Sequence, residues 1–239
     1  MSSAEFYDDF ISYQIKSGIN DRIYQLYKRL SKSGITTNSN ILEIGCGIGI
    51  MTYLISRKVR QGRIEALDIS SKSIAFARTK LKRPNVFFYD ASIFDFEPGR
   101  STFDYLLLFD VIEHIPVTDH VVLFRRISEW MTTDSTILVN IPNPEYTLFD
   151  SKYNPQALQE IDQPVFIDNL TRVLSETGLW LKHFETYSVW VRNDYQFLVI
   201  KKKFEFKELS LHSERSLIQK IKMRIAREIR RLKYRYTEN

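Results

Sequence analysis

Three glycines at alternate positions, Gly45, Gly47 and Gly49, form a glycine loop between a short apolar run and a segment with helical periodicity. Glycine accepts backbone angles that other residues avoid, so a strand can turn sharply here into a helix. The free N–H groups at the start of such a helix favour an anionic or polar ligand. The dinucleotide pattern GxGxxG would need glycine where Ile50 stands, and no Gly-Lys-Ser/Thr follows. The loop therefore predicts an α/β fold whose ligand site is neither an NAD or FAD site nor a P-loop.

Apolar runs and helical patterns alternate around this loop, from residue 41 to residue 201. The predicted strands are Ile41–Ile44, Arg63–Leu67, Val86–Tyr89, Phe103–Phe109, Thr136–Ile141, Leu179–Tyr187 and Tyr195–Lys201. The predicted helices are Ile50–Val59, Ser71–Leu81, Asp119–Met131 and Val165–Thr177. Such alternation is typical of a parallel sheet with helices on both faces, and the two consecutive final strands predict one antiparallel pair.

Two segments outside this alternation are predicted to cover the sheet. Residues 6–32 have the pattern of two helices broken near Gly18, and residues 143–164 lack clear periodicity. A connection of that length is usually functional, so we predict an ordered substrate-cap insertion there. The predicted organisation is a helical N-terminal cap (1–36), an α/β domain (37–205) and a C-terminal helix (206–239).

The positive charge is concentrated at the C-terminus. The 239-residue chain has a net charge of +5, but residues 214–239 alone carry nine Lys/Arg and three acids, which leaves −1 for the rest. The near-neutral body argues against a nucleic-acid platform. Apolar residues recur in the tail at steps of three and four, and they are Leu217, Ile218, Ile221, Ile225, Ile229 and Leu232. This predicts a basic amphipathic helix that binds an anionic membrane surface, packs on the body, forms a dimer contact or binds RNA; the pattern specifies no oligomeric state.

The single cysteine, Cys46, excludes an internal disulfide and a cysteine-based zinc site. No apolar run reaches about 18 residues, and the N-terminus lacks the basic flank of a secretory signal. These features predict a cytoplasmic protein, peripheral at the inner face of a membrane if the basic helix binds lipid.

Two carboxylates follow the second and third predicted strands. Asp68 comes after the strand that ends at Leu67, at the distance from the glycine loop where a Rossmann-type fold places its ribose-binding acid. Asp90 follows Tyr89 and could accept a hydrogen bond from the amine of a base. Together with the glycine loop they predict a site for an adenosine-like ligand without a pyrophosphate.

From Ile41 to Lys201, these motifs in this order resemble the class I S-adenosylmethionine (SAM)-dependent methyltransferases. The matching parts are Glu43-Ile44-Gly45-Cys46-Gly47-Ile48-Gly49, Asp68, Asp90, Phe103-Asp104-Tyr105 and Phe109-Asp110-Val111-Ile112-Glu113-His114-Ile115. The last string is similar to small-molecule O- and N-methyltransferases. The resemblance implies a Rossmann-like, seven-stranded, mostly parallel sheet and SAM as cofactor. The cofactor-binding residues that it implies are Glu43, Gly45, Cys46, Gly47, Gly49, Asp68, Ile69, Asp90, Ala91 and Phe109.

The resemblance also implies a role for each group. The backbone of Gly45 and Gly47 would pass beneath the methionine part of SAM, and Glu43 would hold the loop or the amino group. Asp68 would bind the ribose with Ile69 against the adenine. Asp90 would accept from the adenine amine, Ala91 would donate its N–H, and Phe109 would lie next to the methyl group.

Methyl transfer to a hydroxyl also requires a proton acceptor. His114 is the first candidate base, because it follows the strand end that would face the methyl group, and Asp110 and Glu113 are the alternatives. We expect Tyr7, Tyr13, Arg22, Tyr146 and Gln163 to line a site for a small-molecule or glycan acceptor, and no metal is predicted. Two other functions stay open: an RNA or protein methyltransferase that docks through its basic tail, and a SAM-binding module without catalysis.

Overall fold

The computed structural model describes residues 11–157, 162–205 and 215–234. The chain divides into two compact units, Met1–Lys203 and Phe204–Asn239. The described part of the predicted N-terminal cap therefore belongs to the same unit as the sheet. Among the described residues, no helix is both long enough and apolar enough to cross a bilayer.

The first unit is built on one seven-stranded sheet. Its strands are β1 (Ile41–Ile44), β2 (Ile64–Asp68), β3 (Val86–Asp90), β4 (Phe103–Phe109), β5 (Met131–Pro142), β6 (Leu179–Tyr187) and β7 (Tyr195–Lys202). The strand order is β3-β2-β1-β4-β5-β7-β6, and only β7 is antiparallel to its neighbours. This confirms the predicted Rossmann-like, seven-stranded, mostly parallel sheet with an antiparallel final strand.

Helices cover both faces of the sheet. They are α1 (residues 11–17), α2 (Asp21–Lys32), α3 (Ile50–Ser56), α4 (Ser71–Lys80), α5 (His120–Glu129), α6 (Pro144–Tyr153) and α7 (Ile167–Glu176). Apolar residues of α5 and α7 pack with one face of the sheet, and those of α2 and α3 pack with the other. The helical N-terminal segment is confirmed for the part that the structure describes.

The central strands β1 and β4 are apolar because both of their faces are covered. Leu42 and Leu106 belong to the cluster under α5 and α7, whereas Ile41 and Leu107 belong to the cluster under α2 and α3. All four side chains are fully buried. Burial of each stabilises the fold by roughly 1.5–3 kcal/mol, which fixes the register of β1 and hence the position of the glycine loop at its end.

Two predicted segments differ from the structure. The stretch predicted as a cap loop contains α6, which Asn143 caps by accepting from the N–H of Glu145 at 3.1 Å. Its buried face consists of Pro144, Thr147 and Asp150, so the helix has no apolar stripe that a search for hydrophobic periodicity could detect. The strand β5 begins at Met131 rather than Thr136, because Met131 already pairs with Phe103.

The second unit contains one described helix, α8 (Leu217–Tyr234), as the sequence predicts. None of its side chains is buried.

Candidate functional site

The glycine loop leads from the C-terminal end of β1 into α3 through three left-handed residues. The φ angles of Gly45, Gly47 and Gly49 are +72°, +51° and +79°. A Cβ at Gly45 would collide with Val111 Cγ2, and a Cβ at Gly47 would lie 2.9 Å from Gln14 Nε2. The loop therefore needs glycine both for its turns and for close approach of its backbone to neighbouring groups.

Asp68, at the end of β2, forms a hydrogen bond with the backbone of the glycine loop. Its Oδ2 accepts from the N–H of Gly47 at 2.7 Å, and its Oδ1 accepts from the N–H of Ser70 at 2.9 Å. Burial raises the pKa of this carboxyl, and these two N–H donors oppose that rise. An ionised carboxylate has about four acceptor positions, so Asp68 retains capacity to accept from ligand hydroxyls.

Asp90 lies beside Asp68 in the register of β2 and β3, and its side chain is exposed. The following residue, Ala91, differs from expectation. Its N–H donates to the Asp68 carbonyl at 3.1 Å, so this group serves the link between the two strand ends and is not directed to an adenine. Ile69 is partly exposed next to Asp68, where it could contact a planar ring.

Two predicted residues of the loop are buried. Glu43 accepts from the hydroxyl of Thr52 at 2.6 Å, and its burial raises the pKa to about 8. Burial also raises the pKa of the Cys46 thiol well above its ordinary value, and nearby Asp68 and Glu43 add to that rise. Glu43 thus holds the loop to α3 as a protonated acid at neutral pH, and Cys46 is an unreactive packing residue.

A second set of polar groups lies along the same edge of the sheet, over β4–β7. We call it the polar cluster, and its members are Arg22, Asp110, Asn140, Tyr187 and Tyr195. The Arg22 guanidinium forms an ion pair with Asp110 and donates to the Tyr195 hydroxyl. Asn140 donates to Asp110 Oδ1 at 3.0 Å and accepts from the Tyr187 hydroxyl at 2.7 Å. The cluster thereby ties α2 to the ends of four strands.

Asp110 begins the turn after β4 in a left-handed conformation, with φ of +56°. A non-glycine residue in that region costs free energy unless its surroundings hold it, and such residues concentrate at functional sites. The Arg22 ion pair and the Asn140 amide supply the restraint here. Phe109, directly before it, is the partly exposed last residue of β4.

Glu113, His114 and Asp162 come together next to the polar cluster. Asp162 Oδ1 lies 3.1 Å from His114 Nδ1, and Glu113 Oε1 lies 4.0 Å from His114 Nε2. Burial raises the pKa of Glu113 to about 7, although the adjacent His114 lowers it. A carboxylate that accepts from Nδ1 orients the imidazole and makes Nε2 its basic atom, which is the arrangement that general-base catalysis requires.

The five residues predicted to line the acceptor site do not lie together in the structure. Arg22 lies in the polar cluster. Tyr13 is exposed over 62% of its surface, and Tyr7 lies outside the described residues. Tyr146 stacks on Phe149 within α6, with ring centroids 6.3 Å apart. The Gln163 side chain accepts from the N–H of Val117 at 3.4 Å and therefore holds a loop together instead of facing a ligand.

Three buried polar atoms of this region have no hydrogen-bond partner among the described residues. They are Gln14 Oε1 beside the glycine loop, Arg22 Nε and Glu113 Oε2. Buried polar atoms are nearly always paired, so a ligand that carries both donors and acceptors fits this edge of the sheet. Within the same described part of the chain, no group of three His, Cys, Asp or Glu side chains is arranged to hold a metal ion.

A known protein family matches the part of the chain that contains most of this site. Residues 41–134 match the family described as a methyltransferase domain, and this range includes the glycine loop, Asp68, Asp90 and Asp110. The chain contains a class I SAM-dependent methyltransferase domain. SAM is the cofactor of this class, and one similar solved methyltransferase was crystallised with SAM and with SAH.

Curated relatives of this methyltransferase domain act on different atoms. Trans-aconitate 2-methyltransferase of Afipia carboxidovorans is 30% identical over 103 residues, which is 43% of this chain and 38% of that protein. (S)-coclaurine N-methyltransferase of Thalictrum flavum is 24% identical over 45% of this chain and 30% of its own length. A malonyl-[acyl-carrier protein] O-methyltransferase of Priestia megaterium is 34% identical over 35% of this chain and 28% of its own. The chain thus matches about a third of the length of these relatives.

Solved structures agree with the fold of the domain. Magnesium protoporphyrin IX methyltransferase from Synechocystis has a TM-score of 0.63 at 14% identity, over 81% of this chain and 88% of that one. A SAM-dependent methyltransferase from Mesorhizobium loti has a TM-score of 0.61 at 13% identity, over 73% of this chain and 96% of that one. At such low identities the likeness extends to the fold alone.

Several residues that meet at this edge of the sheet were not predicted from the sequence. Asn140 was detectable, because it is a polar residue within the apolar strand pattern from Thr136 to Ile141. Asp162 carries no such signal, since it lies in a stretch without periodicity. Tyr187 and Tyr195 end and begin predicted strands, and only their pairing across β6 and β7 brings them together.

Proposed function

We propose that this protein transfers the methyl group of SAM to a nucleophilic oxygen or nitrogen of a small-molecule acceptor. One observation carries the proposal: the glycine loop with Asp68 and the polar cluster with His114 lie at the same edge of one sheet, at the ends of the neighbouring strands β1 and β4. Ligands of open α/β sheets bind at that edge. SAM, when bound, supplies a methyl carbon activated by a sulfonium.

The residues present fit the cofactor. Asp68 and Asp90 are adjacent carboxylates that suit the ribose hydroxyls and the adenine amine. The backbone of Gly45 and Gly47 permits close approach, and the unpaired Gln14 Oε1 beside Gly47 suits a donor such as an amino group. Glu43 would act indirectly, by fixing the glycine loop to α3 through its hydrogen bond with Thr52.

His114 would remove the proton from a hydroxyl acceptor. Asp162 would keep the other imidazole proton on Nδ1, so that Nε2 accepts the proton. Glu113, which has a pKa raised to about 7 by burial, would exchange that proton near neutral pH. An amine acceptor needs only delivery in its neutral form, and its methylation would depend little on this pair.

Two features support a polar acceptor with an acidic or hydroxylated group. The Arg22 guanidinium has an unpaired buried Nε beside Asp110, and guanidinium groups bind carboxylates and other oxyanions well. Exposed aromatic rings of α6, Phe149 and Tyr153, could contact an aromatic or sugar ring. The O-methyltransferase relatives favour oxygen, and a sugar or glycan intermediate falls within the same class.

The test measures transfer of radiolabelled methyl from SAM to a panel of carboxylic acids, phenols, sugars and amines. The variants are His114→Asn and Asp162→Asn, with His183→Asn on the exposed part of β6 as the matched control. For an oxygen acceptor we expect kcat to fall about 100-fold in His114→Asn, less in Asp162→Asn, and not in the control.

Turnover of an amine that is indifferent to His114→Asn would assign nitrogen as the acceptor atom. SAM binding without turnover of any acceptor would overturn the enzymatic proposal in favour of a binding module. Preferred methylation of RNA or of a protein would replace the small-molecule assignment.

A further inference from the structure

The helix α8 has an apolar sector that runs along its whole length. At 3.6 residues per turn, six side chains fall within about 120° of the helix circumference. They are Leu217, Ile218, Ile221, Ile225, Ile229 and Leu232. Each of the six is more than half exposed, from 52% for Ile221 to 74% for Leu217. An exposed apolar stripe of this length marks an interaction surface.

The rest of the helix surface is strongly basic. Seven Lys and Arg residues occupy the other sectors, against a single acid, and they are Lys220, Lys222, Arg224, Arg227, Arg230, Arg231 and Lys233. That acid, Glu228, falls inside the 120° arc of the six apolar side chains, next to the border that Arg224 forms, and its carboxylate is paired with Arg227 at 3.5 Å and Arg231 at 3.8 Å. Lys222 and Arg224 flank the apolar sector on opposite sides, so both of its borders are positively charged.

We propose that α8 lies in the surface of an anionic bilayer, with its apolar sector among the acyl chains and its basic borders on the lipid phosphates. A bilayer surface matches both observations at once, because apolar chains lie beneath a layer of negative charge. Lysine and arginine at the borders can extend from the apolar sector to the headgroups while their aliphatic stems stay buried.

Other occupants fit less well. A second copy of α8 would cover the stripe, but it would bring Lys222 and Arg224 against an equally positive surface, and like charges across an interface oppose association. RNA would satisfy the basic groups and leave the six apolar side chains without a partner. The anionic bilayer is therefore the occupant that the distribution of charge favours.

The test measures sedimentation of the full chain with vesicles of phosphatidylcholine alone and of phosphatidylcholine mixed with phosphatidylglycerol. We expect binding to the mixed vesicles only, and weakening by salt. Each basic residue at an anionic surface contributes a factor of roughly five, so the double variant Lys222→Gln, Arg224→Gln should partition about 25-fold less. The double variant Ile221→Ser, Ile225→Ser should partition about tenfold less or weaker still.

Matched controls carry the same changes on exposed residues of the first unit. Val122 and Val191 are 53% and 45% exposed, close to 52% and 56% for Ile221 and Ile225, so Val122→Ser, Val191→Ser controls for loss of apolar surface. Lys152→Gln, Arg172→Gln controls for loss of charge, since both side chains are exposed. Both controls should bind mixed vesicles as the unaltered chain does, and all variants should bind SAM equally.

Equal sedimentation of the unaltered chain and the Ile221→Ser, Ile225→Ser variant would overturn the proposal. So would RNA affinity that depends on Lys222 and Arg224 without vesicle binding. A dimer in light scattering that dissociates in the isoleucine variant, again without vesicle binding, would assign the stripe to a second copy instead.

Discussion

The two halves of the sheet edge are built in different ways. The half at β1–β3 uses residues between Glu43 and Asp90, and its main contacts run through backbone groups: the glycine turns and the N–H of Gly47 on Asp68. The half at β4–β7 uses side chains from Arg22 to Tyr195, which are joined by an ion pair and by hydrogen bonds between side chains.

This difference has a physical reason. The half at β1–β3 depends on backbone conformations that only glycine adopts at low free-energy cost. Its sequence therefore tolerates few substitutions, which suits the binding of one fixed ligand. A network of side chains can be altered one residue at a time while the strands remain in place. We therefore expect substitutions in the first half to affect folding and cofactor binding, and those in the second half to affect the acceptor.

The largest effect should come from adding one methyl group to the glycine loop. Gly45→Ala places a Cβ against Val111 and forces a left-handed alanine, so the free energy of unfolding should fall by about 3–5 kcal/mol. Gly178→Ala is the control, because Gly178 has the same φ of +72° and open space around it; it should lose about 1 kcal/mol. Chemical denaturation measures both.

The double variant Gly45→Ala, Val111→Ala sharpens this result. Removing the Val111 methyl groups should recover about 1 kcal/mol or more if close approach is the cause. No recovery would mean that backbone strain alone determines the cost.

The next largest effect should be on SAM binding, and it should differ between Asp68 and Asp90, the two carboxylates of the half at β1–β3. Asp68→Asn loses the acceptor for one of its two backbone N–H groups and the charge near the ligand, so SAM should bind roughly 100-fold more weakly. Asp90→Asn changes an exposed side chain and should weaken SAM binding by roughly tenfold or less. Titration calorimetry gives both constants, and equal losses would contradict the distinction.

A smaller effect should appear in the pH dependence of stability. The pKa of Glu43 is about 8 in the folded protein against an ordinary 4.5, so the folded state retains a proton that the unfolded state has lost between those values. The stabilising contribution of protonated Glu43 is complete below pH 4.5 and is lost as pH rises towards 8.

The Glu43→Gln variant should therefore lose less stability than the unaltered chain between pH 5 and pH 8, by on the order of 2 kcal/mol. Denaturation curves at several pH values test this. Parallel declines in both proteins would show that Glu43 is ionised in the fold.

The smallest effect should distinguish two arginines of α2. Arg22→Gln breaks the contact with Asp110 and should lower kcat/KM for the acceptor by about tenfold while SAM binding is unchanged. Arg29→Gln breaks a pair with Glu185, whose nitrogen and oxygen lie 2.6 Å apart, and should reduce stability by about 1 kcal/mol with little effect on turnover. Weakened SAM binding in Arg22→Gln would show that the half at β4–β7 also contributes to cofactor binding, and would contradict the division of the sheet edge into two halves.

Some features of the fold and of the candidate site depend on tertiary contacts, which the hydrophobic periodicity of the sequence does not reveal. The helix α6 is invisible to a hydrophobic search because its buried face is Pro144, Thr147 and Asp150. The Ala91 N–H was expected to face a ligand, but the pairing of β2 with β3 directs it to the Asp68 carbonyl. Asp162 reaches His114 across a stretch of chain that has no pattern of its own.

The sequence by itself determined the seven-stranded sheet, the glycine loop and the position of Asp68 at a strand end. These follow from local rules, because apolar runs specify buried strands and only glycine adopts the turns between β1 and α3. Tertiary structure alone decided the polar cluster and the His114–Asp162 pair. Their members lie far apart in the chain, and side-chain contacts across a sheet edge depend on strand order and register, which local patterns do not contain.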